Sequence, residues 1–495
     1  MKKRLFCSII SVITFLPLFA QKSLSLEECR NLAIQNNRQL KISKLTTAIA
    51  ENIHKATKTK YLPKITAMAG YEHFTREISL LNDRQKDKLS NLGSNLAGKI
   101  GTGMDSRIAN LLEQGFISED AANQLSQTLN DIVSPLAQAG NNIGNQIRQS
   151  FNTNSKNMYI GSIILTQPIY MGGGIKAANE LATIGEDLVR NNIELKRQLI
   201  IYGVDNAYWL AVSLKKKEEL ATQYYNLTKH LCQNVQKMYK AGVATKADIL
   251  KIEVATNTAE LIISEIGDGI SLAKMALCEL CGIELNENLR LADEATEDIS
   301  TSISQTYNLN DTTLYSRPEI RILQNTVDIT KQNTKIINSL YKPHLALTAG
   351  YTVANPNTFN GFEHKFRDIF NIGIVLHIPV FNWGEAKYKN KAAQISTAIA
   401  KLELNDIRNK IQLEIKQNNF RLITAKKRLA IAKKNMLSAE ENLRVANIGF
   451  KEGVLTLTEV MAAQTAWLSA KTAIIDAEIS IRTAYTGLKK ALGKL

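Results

Sequence analysis

The feature that most constrains this chain is that it is written twice. "YLPKITAMAGY" (Tyr61–Tyr71) is matched by "YKPHLALTAGY" (Tyr341–Tyr351), with Pro63 and Pro343 standing 280 residues apart. "NNRQL" (Asn36–Leu40) and "SRPEI" (Ser316–Ile320) share that offset. "TQPIYMGGGIKAA" (Thr166–Ala178) answers to "HIPVFNWGEAKYK" (His377–Lys389), and "YKAGVATKADIL" (Tyr239–Leu250) to "FKEGVLTLTEVM" (Phe450–Met461), now at an offset of 211. The order of landmarks is the same in both halves, so whatever one half folds into, the other must also form. The chain reads as a tandem duplication, with a first repeat over 21–295 and a second over 296–495. The offset falls from 280 to 211 between Tyr71 and Pro168, so the first repeat carries 69 additional residues, an insertion at about 76–156.

Each repeat has one layout. A helix comes first, over about Leu24–Lys60 and again over about Thr312–Leu340, and a proline stops it because proline lacks an N–H and disfavours helix in the residue before it. Strands follow with period-two alternation. Leu345, Leu347, Ala349, Tyr351 and Val353 share one face, and Thr348, Gly350 and Thr352 the other. In the next strand, Asp368–Ile378, the residues Phe370, Ile372, Ile374, Leu376 and Ile378 face one way and Asn371, Gly373 and His377 the other; Asn157–Gln167 is its partner in the first repeat. After Pro168 and Pro379 a helix of about 65 residues runs to Gly242 or Gly453, about 100 Å at 1.5 Å per residue. A Gly-Val turn then reverses the chain into a second long helix, about Lys246–Leu280 and Thr458–Leu492. Eight prolines and 26 glycines in 495 residues leave room for such elements. Helices this long need neighbours along their length, as in coiled-coil packing.

The N-terminus, "MKKRLFCSIISVITFLPLFAQKS", joins a basic start to an apolar stretch and a small-residue cleavage site. It reads as a secretory signal over residues 1–20, with Gln21 the first mature residue. No later run of 18 apolar residues predicts a transmembrane helix. The formal charge of +15 is spread along helical stretches and alternates with Glu and Asp, which predicts solvated helix faces and no nucleic-acid partner. Cys278 and Cys281 form a C-x-x-C without a second pair or a strand–turn–helix setting, so they read as small apolar helix residues.

Four strands of about ten residues, each with an apolar and a small or polar face, match the length and alternation of membrane β-strands. Four strands do not close a barrel, and an open edge in lipid is not viable, so several copies would have to contribute to one barrel. The flanking aromatics Tyr61, Tyr71, Tyr341, Tyr351, Phe370, Phe381 and Trp383 suit an interfacial belt. The competing arrangement is a water-soluble four-stranded sheet packed on helices.

The duplicated order of helix, "Y-x-P", strands, very long helix, "G-V" turn and long helix, behind a signal peptide, resembles the TolC family of outer-membrane efflux proteins. The resemblance covers the mature chain except the insertion. It implies a mainly α protein with a membrane β-barrel: a homotrimer whose 12-stranded barrel in outer-membrane lipid continues into a long periplasmic α-helical barrel that tapers shut at its tip. Such a protein is a passive exit duct of a tripartite efflux or type I secretion system. It docks a periplasmic adaptor, which links it to an inner-membrane transporter. The resemblance also implies adaptor-docking tips at Gly242, Val243 and Ala244 and at Gly453, Val454 and Leu455, and a tunnel entrance at Asp248, Phe450, Glu459 and Ala462. Asp248 matches the acidic latch residue and Glu459 one ring carboxylate. Ala462 stands where the second ring carboxylate is expected, and Phe450 and Leu455 replace the polar latch partners, so closure by apolar packing is expected. The alternative to the lumenal role is that Asp248 and Glu459 are first-turn residues favoured by the helix dipole.

Two rival functions leave different traces. An enzyme would need a catalytic or metal constellation. The six histidines form no H-E-x-x-H, "MGGGIK" lacks the spacing of a phosphate cradle, and no nucleophile elbow is present. No catalytic, cofactor-binding or metal residues are therefore expected. An exported coiled-coil scaffold or adhesin without a pore would explain the helices and leave the strands unexplained. The insertion contains "ISEDAANQLSQTLNDIVSPLAQ", with helical spacing and Ser118 as N-cap; as a surface cap, a lumenal constriction or a trimer contact it remains open.

Overall fold

The chain's architecture, obtained as a computed structural model, is described for residues 23–153, 155–296, 317–357 and 363–495. The expected signal segment, Gln21 and the boundary between repeats after 296 lie outside the described residues, as do Thr312–Ser316 of the helix expected to begin there. The elements in order are α1 (Leu26–Asn36), α2 (Arg38–Lys58), β1 (Lys64–His73), α3 (Asp83–Ser90), α4 (Leu92–Glu113), α5 (Glu119–Ser150), β2 (Asn157–Met171), α6 (Gly174–Lys240), α7 (Lys246–Cys281), α8 (Pro318–Ser339), β3 (His344–Asn355), β4 (Arg367–His377), α9 (Glu385–Lys451) and α10 (Leu457–Ala491). They fall into a helical unit (residues up to Lys58, Gly173–Leu340 and Asn382–Leu495) and a second unit (Thr59–Gly172 and Tyr341–Phe381).

The helical unit repeats the duplication in three dimensions. α6 and α9 each have 67 residues, and both their starts and ends are 211 apart. α1, α6 and α7 share one core that includes Val204, Tyr208, Val212 and Leu277. α8, α9 and α10 share the corresponding core, with Val327, Ile411, Leu422 and Ile481. The first helix is broken where one continuous helix is expected. Asn37 takes ψ 126, its Nδ2 donates to the Leu280 carbonyl at 2.9 Å, and its Oδ1 accepts the Gln39 amide at 2.9 Å. These side-chain bonds offer the backbone an alternative to the helical ladder. In the second repeat Arg317, the residue at the same offset, makes a corresponding long-range bond: its Nη1 donates to the Lys490 carbonyl at 2.6 Å, just before α8 begins at Pro318.

The second unit is an antiparallel sheet in the order β1-β2-β3-β4, although α6, α7 and α8 intervene in sequence between β2 and β3. β2 runs past its expected end at Gln167 to Met171, because a register shift between Pro168 and Tyr170 accommodates the residue without an N–H. The insertion supplies α3, α4 and α5. Ser118 caps α5 as expected, its Oγ accepting the Ala121 amide at 3.3 Å. α4 and α5 meet backbone to backbone: a Cβ on Gly93 would lie 2.0 Å from the Ala137 carbonyl oxygen, and one on Gly140 2.5 Å from the Gly93 Cα. Glycine at both positions permits that approach.

Candidate functional site

Strand register puts like with like. Tyr71 pairs with Tyr159, Ala67 with Ile163 and Ile65 with Leu165. Ile163 and Leu165 then pair with Tyr351 and Ala349, which pair with Phe370 and Ile372, and Leu347 pairs with Ile374. The faces expected from alternation are therefore aligned across all four strands. The other face is mixed: it carries Thr66, Gly70, Ser162, Thr166, Thr348, Gly350, Asn371 and Gly373 together with Met68, Ile160, Ile164, Ile369 and Val375. The apolar face is open within one chain: Ile65, Phe370, Ile372 and Ile374 are each 65–69% exposed. Among the described residues β1 and β4 each have one neighbouring strand, so both edges of the sheet are unpaired there. An exposed apolar face with two open edges is a surface that invites further strands.

The helical unit holds the second cluster of expected site residues. α6 ends at Lys240, and the chain reverses through Ala241 and Gly242, where φ is +80; Gly453 repeats this with φ +73. A Cβ at either glycine would meet nothing within 4 Å, so backbone conformation alone selects glycine there. Val243 and Val454 stand at the apices, 72% and 78% exposed. Ala244 and Leu455 turn inward with Phe450 and pack on one core. That core takes Leu231, Val235, Ile249 and Ile252 from the first helical hairpin and Leu443, Leu457 and Val460 from the second. Phe450 and Leu455, both from the second hairpin, thus pack on an apolar core that the two hairpins share.

The carboxylates are turned back on their own helices. Asp248 Oδ2 accepts the Thr245 amide at 3.0 Å and the Thr245 hydroxyl at 2.6 Å. Glu459 Oε2 accepts the Thr456 amide at 2.6 Å and its hydroxyl at 2.9 Å. Each threonine hydroxyl caps in return, so both ends are capping boxes. The Thr456 bonds hold the Glu459 carboxyl below the usual carboxylate range, and the Thr245 bonds do the same for Asp248. Both are charged at neutral pH. Ala462 is exposed three residues beyond Glu459 and adds no charge. Thr245 and Thr456, which hold these carboxylates, are not among the site residues expected from the sequence. Their signal, T-x-x-D and T-x-x-E directly after a Gly-Val turn, is present in the sequence.

The comparisons with known proteins agree with this geometry. The family described as "Outer membrane efflux protein" matches residues 309–494. The alkaline protease secretion protein AprF of Pseudomonas aeruginosa is 21% identical over 252 residues, 50% of this chain and 51% of that one. The chain thus matches about half the length of this curated relative. The outer membrane protein VceC of Vibrio cholerae has the same fold, with a TM-score of 0.67 at 15% identity over 94% of this chain and 96% of that one. So does the Campylobacter jejuni CmeC outer membrane channel, with a TM-score of 0.69 at 15% identity over 95% and 85%. The resemblance carried by the duplicated motifs is borne out: residues 309–494 match the outer membrane efflux protein family, and the chain shares the fold of these two solved channels along nearly its whole length.

Proposed function

We propose that the protein is an outer-membrane exit duct: a homotrimer whose sheets join into a 12-stranded barrel in the lipid, with the helical unit in the periplasm. The observation that carries this reading is the sheet, with one continuous apolar face exposed and both edges unpaired. Three copies joined edge to edge satisfy both edges at once, place the apolar face against lipid and leave the mixed face, with its threonines, glycines and Asn371, lining a lumen. The duct is passive and couples through a periplasmic adaptor to an inner-membrane transporter. The exposed Val243 and Val454 apices offer the adaptor two equivalent contacts per chain. At the entrance, apolar packing of Phe450 and Leu455 sets the spacing of the hairpins. Glu459 contributes three like charges that attract cations and repel anions.

The test is the molar mass of the protein extracted from the outer-membrane fraction, measured by light scattering with the detergent contribution subtracted. A mass of three chains, released by detergent and not by salt or carbonate, followed by conductance in a planar bilayer, is the expected result. A monomer released by carbonate would replace the duct with a scaffold lacking a pore.

A further inference from the structure

Cys29 in α1 and Cys278 and Cys281 in the last turn of α7 are all 0% exposed and share one core. The structure distinguishes the two members of the C-x-x-C. The Cys278 thiol is directed at the Asn286 carbonyl, 3.7 Å away. The Cys281 thiol is directed at the Cys29 carbonyl, 3.5 Å away, so these two cysteines are direct neighbours across the contact of α1 with α7. The neighbouring backbone is held in place, since Asn37 donates to the Leu280 carbonyl at 2.9 Å. Cys232 lies in the separate core near the hairpin tips.

We propose that Cys29 and Cys281 are a disulfide site that staples α1 to the end of α7 in the exported protein. The two thiols lose two protons and two electrons and form an Sγ–Sγ bond. The electrons and protons go to a disulfide donor, which is reduced to its two thiols by thiol–disulfide exchange. Both sulfurs are inaccessible in the folded chain, so exchange takes place before this core closes. The bond closes a loop of 252 residues, where chain-entropy arguments give a cross-link its largest effect. The oxidising setting rests on the outer-membrane reading above; the pairing itself rests on the packing of α1 against α7.

Two samples separate those supports. In the first, cells are quenched in acid, the protein is denatured and alkylated with N-ethylmaleimide, and its peptides are mapped by mass spectrometry. The expected result is a linked peptide pair containing Cys29 and Cys281, with Cys232 and Cys278 alkylated. In the second, the purified, reduced chain is refolded in a glutathione buffer and mapped in the same way. Alkylated Cys29 and Cys281 in both samples would overturn the proposal at the level of geometry. A bond formed only in the glutathione buffer would overturn it for the cell and place the failure in the outer-membrane reading. Unfolding and refolding in dithiothreitol, which exposes both sulfurs to the reductant, is expected to lower the Tm of the wild type by several degrees, to that of Cys281→Ser, and to leave Cys281→Ser unchanged. A wild-type Tm that ignores dithiothreitol would also overturn it.

Discussion

Arg30 grips Asp205 with two bonds, Nε to Oδ1 at 2.7 Å and Nη2 to Oδ2 at 2.6 Å, and thereby ties α1 to the middle of α6. The Asp205 side chain is fully buried and also accepts the Thr486 hydroxyl of α10 at 3.2 Å. Three helices from both repeats therefore converge on one carboxylate. Asp205→Ala removes the acceptor and leaves a guanidinium, only 22% exposed, without it. The expected loss is about 3 kcal/mol, the lower end for breaking a buried pair because Arg30 keeps Glu27 and some water. A chemical-denaturation midpoint for the detergent-extracted protein checks this, and Arg30→Met with Asp205→Leu is expected to recover much of the loss.

The sheet face predicts a sharp asymmetry between adjacent residues of β4. Ile374→Arg places a charge on the exposed apolar face, where the expected cost in lipid is about 2–4 kcal/mol near the midplane. Gly373→Ser, on the opposite face, places a Cβ 4.0 Å from the Thr348 hydroxyl, an ordinary contact, and is expected to leave assembly unchanged. Heat-resistant oligomer on a gel, compared between the two variants, reads the difference. Equal yields would argue against lipid on the apolar face.

At the apices, Val243→Asp and Val454→Asp are expected to abolish cross-linking to a periplasmic adaptor while Tm stays within a degree of wild type. Both side chains are largely exposed and support no core, so loss of stability would point to an unrecognised contact. Gly453→Ala is expected to behave differently. It costs about 1–2 kcal/mol because φ is +73, and the loss appears as faster amide exchange in the turn.

Acid should loosen the two tips. The ordinary carboxyl pKa values are 3.8 for Asp248 and 4.5 for Glu459, and both are lowered in the folded chain by bonds from Thr245 and Thr456. A carboxyl with a depressed folded pKa stabilises fully above its unfolded value and loses that contribution as pH falls through the folded one. Once corrected for intrinsic rates, amide exchange is therefore expected to accelerate as pH falls below about 4.5 at 456–459 and below about 3.8 at 245–248, and to be insensitive to pH well above those values. Asp248→Asn should flatten the response at the first tip only, and Glu459→Gln at the second only. Thr456→Ala is expected to cost about 1 kcal/mol through the lost cap.

Cation preference in the bilayer is the last expectation. Glu459→Ala should lower the ratio of cation to anion permeability, and Ala462→Asp should raise it, since Ala462 is exposed three residues further along α10. An unchanged ratio in both variants would remove Glu459 from the lumen and leave it as a cap alone.

Much of this protein is written locally. A repeated landmark is a repeated fold, so the 67-residue α6 and α9, the turns at Gly242 and Gly453, and four alternating strands follow from spacing and from the backbone freedom of glycine. Other features belong to contacts between distant segments, and no periodicity carries them. Asn37 interrupts the first helix because the Leu280 carbonyl, 243 residues away, is there to accept its amide. β2 outruns Pro168 because β3 pairs with it across a bulge. Asp248 and Glu459 are charged residues beside a turn in sequence; only the folded caps show each bound by its own threonine. The two cysteines of the C-x-x-C look equivalent in the chain, and α1 makes them different by bringing Cys29 to Cys281 alone. Sequence by itself determined the elements and their duplication, because those depend on neighbours three or four residues away. Tertiary structure decided which groups meet, because burial and pairing are set by residues that the chain keeps hundreds of positions apart.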